Sequence, residues 1–357
     1  MNTLLLTQMS GELFEDTVVI GDPKEGTQLY NKGNFGYPMR GGGLELDLIE
    51  ATFLTECERL QVTKDGSPVS FREMFCYSSE QYDGFGTSYL VYRDMRNRGF
   101  VVKAESGHFD LSVFPRGYTM SNSRPQYLVR AVSERDVLDL DVFSKEVSHT
   151  EGRGKKLLYG VADEEGDITY YHMSAKDPCG RSFHLPSGHR ARGYLIGGRV
   201  LVFDESQTER LRGKAFYGKM MGSVLHLSLI ECCFLSETGD LEVVSQSGEI
   251  MSAEETVDLG MKTQEEFDLR LDAFRDLRRR GMVVKTGFKY GAHFRVYEGT
   301  PDDDHAKYLV HAVPSGKTMT WPEISRTVRL SGGVKKEILF CRTGEPMEYL
   351  EFKWFRP

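Results

Sequence analysis

The stretch YRDMRNRGFVVK, Tyr92 to Lys103, returns 182 positions later as FRDLRRRGMVVK, Phe274 to Lys285. Two more segments repeat at 181: LDLIEATFL (Leu46 to Leu54) as LSLIECCFL (Leu227 to Leu235), and YLVRAV (Tyr127 to Val132) as YLVHAV (Tyr308 to Val313). Helical or strand periodicity can make two segments look alike, but it does not hold a near-constant spacing across three separated ones. The chain therefore holds one folded unit twice.

Outward from the quoted stretch, each copy reads in the same order. An apolar segment with helical spacing around Leu46 or Leu227 precedes a charged amphipathic helix ending at Gly99 or Gly281, where glycine suits the turn past a helix end. Two or three β-rich runs follow, then a short helix and a last strand pair. The Gly-, Pro- and Ser-rich AKDPCGRSFHLPSGHRARG (Ala175 to Gly193) joins the copies. The class is α+β, as a tandem duplication. The expected divisions are an N-terminal mixed α/β subdomain over residues 1–80, a second subdomain over 81–175, a linker over 176–193, and their counterparts over 194–260 and 261–357.

Composition narrows the function classes. A chain of 357 residues, 39% hydrophobic and 27% charged, reads as soluble and globular. MNTLLLTQMSGELFED carries no basic leader, and no segment approaches the roughly 20 apolar residues that span a bilayer. The six cysteines show no CxxC spacing, so neither a zinc knuckle nor a disulfide framework is expected, and a cytoplasmic location is. The first 180 residues carry 19 Lys and Arg against 28 Asp and Glu, a net −9; the rest carry 26 against 25, a net +1. The second half can thus present a local basic surface despite the overall −8.

Duplication allows the two copies to be compared within one chain. In the second, HFRVYEGTPDDDHAKYLVHAV reads as strand, polar turn, strand, with His293, Arg295 and Tyr297 on one face and Phe294 and Val296 toward the core. Matching the HF pairs of the two copies sets Arg295 against Asp110 and Tyr297 against Ser112; the 181 spacing sets His305 against Arg124 and Lys336 against Lys155. The framework repeats, while tyrosine and histidine occur only in the second copy. A catalytic set kept in one half explains that pattern better than packing does.

KTGFKYGAHFRVYEG, DDDHAKYLVHAV and RLSGGVKKEILF resemble the catalytic-domain signature of the tRNA-splicing endonuclease family, in particular its archaeal form with two tandem repeats per chain. The first copy's KKLLYGVADEEGDITYYHM resembles the closing segment of the same domain. The similarity spans most of the chain and is loosest around GDPKEGTQLYNKGNFGYPMRGGG. It implies that 81–175 is a noncatalytic nuclease-like subdomain and 261–357 the catalytic one. It also implies cleavage of precursor tRNA at exon–intron junctions folded as a bulge-helix-bulge, by the RNA's own 2′-hydroxyl, leaving a 2′,3′-cyclic phosphate and a 5′-hydroxyl.

That reaction needs a base, an acid and a cation. The resemblance implies Tyr297 as base or orienter of the 2′-OH, His305 as acid and Lys336 as cation. Unperturbed, a phenol titrates near 10 and an imidazole near 6.5, so the tyrosine is the harder assignment. Aspartates 302 to 304 would raise the affinity of His305 for its proton if they stay close. No metal or cofactor is implied, because the nucleophile is already attached beside the phosphate.

Arg329 matches an arginine that the family stacks on bulged bases, and Trp354, Arg280 and Arg295 are further candidate RNA contacts. The acidic ADEEGD, with Asp163, Glu164, Glu165 and Asp167, sits where the family's noncatalytic repeat docks into a basic cleft of another subunit, which implies a homodimer. Two alternatives stand beside this reading. One is a noncatalytic RNA-binding or assembly subunit; the other is a metal-dependent nuclease using Asp302 to Asp304.

Overall fold

A computed structural model describes residues 9–181, 185 and 190–357; the N-terminal residues 1–8 and the linker's 182–184 and 186–189 lie outside the described residues. Each copy opens with a six-stranded mixed sheet. In the first its strand order is Tyr37–Pro38, Leu44–Asp47, Thr17–Ile20, Met9–Leu13, Leu60–Lys64, Ser67–Val69, and the second copy repeats that order from Lys219–Met221 to Ile250–Met251. The LDLIEATFL segment divides between strand Leu44–Asp47 and helix Leu48–Glu56, which is buried from Leu48 to Leu54. Its counterpart, helix Leu229–Glu237, is capped by Ser228 and Glu231 in a reciprocal capping box.

The remaining halves of both copies build one ten-stranded sheet. Its strands in chain order are β1 (Val102–Ala104), β2 (Leu111–Val113), β3 (Tyr127–Ser133), β4 (Lys156–Ala162), β5 (Ile168–Lys176), β6 (Val283–Thr286), β7 (Phe294–Tyr297), β8 (Tyr308–Pro314), β9 (Glu337–Thr343) and β10 (Glu348–Phe355). The order across the sheet is β6-β7-β8-β9-β10-β5-β4-β3-β2-β1. The copies meet at β5 and β10, antiparallel from Tyr170 opposite Phe355 to Lys176 opposite Tyr349.

Helices α1 (Phe85–Asn97) and α3 (Phe267–Arg279) cover one face; α2 (Leu140–Gly152) and α4 (Trp321–Gly333) cover the other, around the seam. Past α1 and α3 the chain reverses through Gly99 and Gly281 at φ 87° and 78°, a conformation that glycine adopts without a Cβ clash.

A buried ion pair locks each N-terminal sheet to the large one. Lys103 Nζ lies 2.6 Å from Glu50 and donates to the Gly36 carbonyl at 3.0 Å; Lys285 lies 3.4 Å from Glu231 and donates to the Gly218 carbonyl at 2.9 Å. The Gly36 N–H donates to the second Glu50 oxygen; in the other copy the Gly218 N–H donates to the Glu231 oxygen that faces Lys285 and Ser228 fills the second, so these charges are compensated inside the protein.

Candidate active site

Three adjoining strands bring the second copy's candidate groups to one end of the sheet. β7 runs antiparallel to β8, with Val296 opposite Tyr308, and β8 runs parallel to β9, with Tyr308 opposite Glu337. β7 therefore ends where β8 and β9 begin. Tyr297 is the last residue of β7, His305 stands three residues before β8, and Lys336 stands immediately before β9. The ladder continues past the strand ends, since Lys307 N–H donates to the Val296 carbonyl and Glu337 N–H to the Lys307 carbonyl, both at 3.0 Å.

Ala306 ties the three together. Its carbonyl accepts from Lys336 Nζ at 3.1 Å, it packs in a small apolar cluster with Tyr297, Val283 and Phe216, and it is the chain neighbour of His305. Lys336 leaves a tight reversal after α4, in which Lys335 takes φ 53° and Lys336 N–H donates to the Ser331 carbonyl at 3.0 Å.

The electrostatics differ from group to group. Tyr297 is only 6% exposed. Burial pushes its phenol above the ordinary 10, the Arg295 guanidinium opposes that shift, and Tyr290 adds to it. The phenol is thus protonated at neutral pH and presents a hydroxyl. His305 is exposed. Of the carboxylates before it, Asp302 pairs with Arg212 at 2.9 Å and Asp303 accepts from Thr300 Oγ1 at 2.8 Å, so the turn spends two of its three aspartates on partners other than the histidine. Those two carboxylates also take separate partners rather than one common point, as a shared divalent ion would need.

The register corrects the comparison between copies. Lys285 lies opposite Arg295, and its counterpart Lys103 lies opposite Ser112. Phe294 faces Val310, while Leu111 faces Val129. Arg295 therefore corresponds to Ser112, and Tyr297 to Phe114, whose N–H donates to the Val101 carbonyl as Tyr297 faces Val283. Matching the HF pairs slid the first copy by two residues. The first copy keeps a ring at this position and lacks only its hydroxyl.

The remaining expected contacts spread out. Arg295 lines a cleft of ≈870 Å³ between the second N-terminal sheet and β6–β7, together with Arg199, Arg212, Lys219, Arg270, Lys285 and Tyr297. Its Nε is buried and, among the described residues, has no hydrogen-bond partner. Arg280 is engaged elsewhere, with Asp276 at 2.6 Å, with Asp177, and over the Tyr349 ring. Arg275 and Arg278 of α3 also pair within the protein, with Glu237 and Asp272 and with the Tyr217 hydroxyl.

Arg329 is exposed on α4. Trp354 is 46% exposed opposite Tyr171 at the seam, with the Arg356 guanidinium 4.4 Å from its ring centre. Asp163, Glu164, Glu165 and Asp167 are exposed at the tip of the β4–β5 hairpin, where Asp163 Oδ1 accepts from the Glu165 and Asp167 N–H groups and Arg135 pairs with Glu164.

One neighbour of the cluster escaped the sequence reading. The ring centre of Tyr290 lies 5.7 Å from Lys336 Nζ. It belongs to a turn seven residues before Tyr297, and the only sequence signal is an aromatic residue set between two glycines in GFKYG.

Comparison with known families agrees with this architecture. The model of the tRNA intron endonuclease N-terminal domain matches residues 9–75 and 191–257, and that of its catalytic C-terminal domain matches 85–170 and 267–349. Curated proteins named tRNA-splicing endonuclease align end to end. That of Methanosarcina mazei is 34% identical over 98% of both chains, that of Methanosarcina barkeri 33% over 97% of this chain and 98% of its own, and that of Halobacterium salinarum 33% over 94% and 96%. The catalytic-domain model matches both copies, so the match by itself does not single out one of them.

Proposed function

This chain belongs to the tRNA intron endonuclease family, it is an enzyme that cleaves introns from tRNA, and we propose that its second copy does so with Tyr297, His305 and Lys336. Tyr297 orients the 2′-hydroxyl through its phenol, and its minor phenolate form takes the 2′-OH proton, becoming the phenol, as the bond to phosphorus forms. His305 gives a proton to the departing 5′ oxygen, and Lys336 offsets the charge that gathers on the phosphorane. The products are a 2′,3′-cyclic phosphate and a 5′-hydroxyl. No metal enters this scheme, and DNA, lacking the 2′-hydroxyl, is not cut.

The observation that carries this reading is the register that ends β7 where β8 and β9 begin, with the Ala306 carbonyl holding Lys336 beside Tyr297. Exposed Arg329 and Trp354 are in keeping with contacts to bulge-helix-bulge nucleotides.

The working form is a homodimer in which the acidic β4–β5 hairpin of one subunit enters the basic cleft of the other. The clustered guanidinium groups of that cleft, the unpartnered Arg295 Nε and the net −9 of the first 180 residues support this. Two active sites per dimer then serve the two intron boundaries. Six free cysteines are in keeping with a reducing cytoplasm.

The test is incubation with an intron-containing precursor tRNA in EDTA, beside a His305→Ala variant. Cyclic-phosphate ends from the parent protein, and a loss of about 10²–10⁴-fold in the variant, are expected. Cleavage by His305→Ala at the parent rate would remove the proposed acid, and cleavage that stops in EDTA would remove the metal-free scheme.

A further inference from the structure

The turn between β6 and β7 contains a single 3₁₀ turn, Phe288–Tyr290. Its backbone closes on itself. Gly287 N–H donates to the His293 carbonyl at 3.0 Å, Tyr290 N–H to the Gly287 carbonyl at 2.7 Å, and Gly291 N–H to the Phe288 carbonyl at 3.1 Å. A Cβ on Gly287 would lie 2.6 Å from the Ala292 carbonyl oxygen, so the turn closes tightly only with glycine there.

This ordered tip holds Phe288 86% exposed, the highest value for a large hydrophobic side chain among the described residues. Lys289 beside it is also exposed. Two residues from Phe288, Tyr290 turns inward, its ring 5.7 Å from Lys336 Nζ. Tyr290 also adds to the upward shift of the Tyr297 phenol, which places it within electrostatic reach of that hydroxyl.

The sister copy serves as an internal control. Thr286 faces Phe294 where Ala104 faces Leu111, so the corresponding connection runs over residues 105–110 and reads ESGHFD. Counted from the preceding strand, Ser106 and Gly107 stand where the second copy has Phe288 and Lys289, and the first copy's one phenylalanine in this connection, Phe109, is buried. The difference follows the distribution of Tyr297 and His305, the groups the first copy also lacks.

We propose that the β6–β7 tip is a substrate platform, in which Phe288 stacks on an unpaired nucleobase beside the scissile phosphate and Lys289 meets the adjoining phosphate. Tyr290 is a positioning residue that flanks the Lys336 ammonium and fixes its distance from the platform. An unpaired base offers a free π face, which a base inside a helix does not, so the platform selects bulged over paired nucleotides. This proposal rests on the assignment of the reaction to the Tyr297, His305 and Lys336 end of the sheet.

The experiment uses the full-length protein and a bulge-helix-bulge RNA with 2-aminopurine among its unpaired nucleotides. Phe288→Ala should raise KM about tenfold, the effect falling on KM rather than kcat, because the lost base stacking weakens binding of the RNA before the chemical step. It should also abolish the fluorescence quenching seen on binding, with both properties restored in Phe288→Trp. Because Phe288 is exposed, the thermal midpoint of Phe288→Ala should match the parent.

Parent-like KM and quenching in Phe288→Ala would overturn the platform. So would a changed dimer mass with RNA binding intact, which would make Phe288 a contact between subunits. A parallel His305→Ala arm separates the two readings. Quenching retained without cleavage there supports the platform, whereas full cleavage by His305→Ala overturns the catalytic assignment on which it rests.

Discussion

Tyr297 and Phe114 occupy equivalent positions, are each 6% exposed, and differ by one oxygen atom. Tyr297→Phe therefore reproduces the first copy's side chain at almost constant volume. Its melting midpoint should stay close to the parent's while cleavage falls by about 10²–10⁴-fold, checked by single-turnover kinetics. A parent rate would leave the phenol without a chemical role.

Two other residues of the same strand region carry a pH signature. His293 Nδ1 accepts from Ala312 N–H at 3.1 Å, and its ring centre lies 5.4 Å from that of His311. Burial holds both imidazoles down to about 4 from the ordinary 6.5, with Arg270 pressing further on His293 and His293 on His311. The folded values lie below the unfolded ones, so this stabilisation is complete above about pH 6.5 and is lost as pH falls toward 4. The thermal midpoint should drop across that window, and drop less in a His293→Asn, His311→Leu double variant.

At the scale of elements, the α4–β9 reversal and the β4–β5 hairpin each lead to a prediction. Lys335 holds φ 53°, while the first copy has Gly154 at φ 66° in the equivalent place. A side chain in the left-handed region costs about 1–2 kcal/mol, partly offset by the greater unfolded-state freedom of glycine. Lys335→Gly should thus raise stability by up to about 1 kcal/mol, read from the denaturant midpoint. The acidic hairpin is closed by its own backbone, with Asp163 N–H donating to the Asp167 carbonyl at 3.1 Å. Asp163→Asn, which keeps the turn's acceptor, combined with Glu164→Gln, Glu165→Gln and Asp167→Asn should leave the fold intact and shift sedimentation from dimer to monomer. Rising salt should weaken the proposed dimer in the same direction. A dimer unchanged in the quadruple variant would place the contact elsewhere.

Across the whole molecule, the two copies share a core as well as a sheet. Trp321 of α4 is 2% exposed and packs its ring against Tyr159 and Tyr171 of the first copy, at 5.2 and 5.7 Å between centres. Truncation of such a side chain costs about 3–5 kcal/mol. Trp321→Ala should therefore lower the midpoint of both copies together in one calorimetric transition. Separate melting of the second copy would show the seam to be weaker than its packing implies.

The sequence by itself determined the duplication, the α+β class, the glycine-terminated helices and the copy that holds tyrosine and histidine. Each of these is written in local patterns that persist at fixed spacing. Tertiary structure alone decided that Tyr297 corresponds to Phe114, that Arg280 is spent on Asp276 and Asp177, and that Tyr290 stands beside Lys336. Strand register is set by hydrogen bonding across the sheet, and a hairpin one residue shorter in the first copy shifts it without any mark in the flanking motifs. The partner of a charged side chain is likewise chosen by whatever the fold carries within a few ångströms, a distance unrelated to separation along the chain.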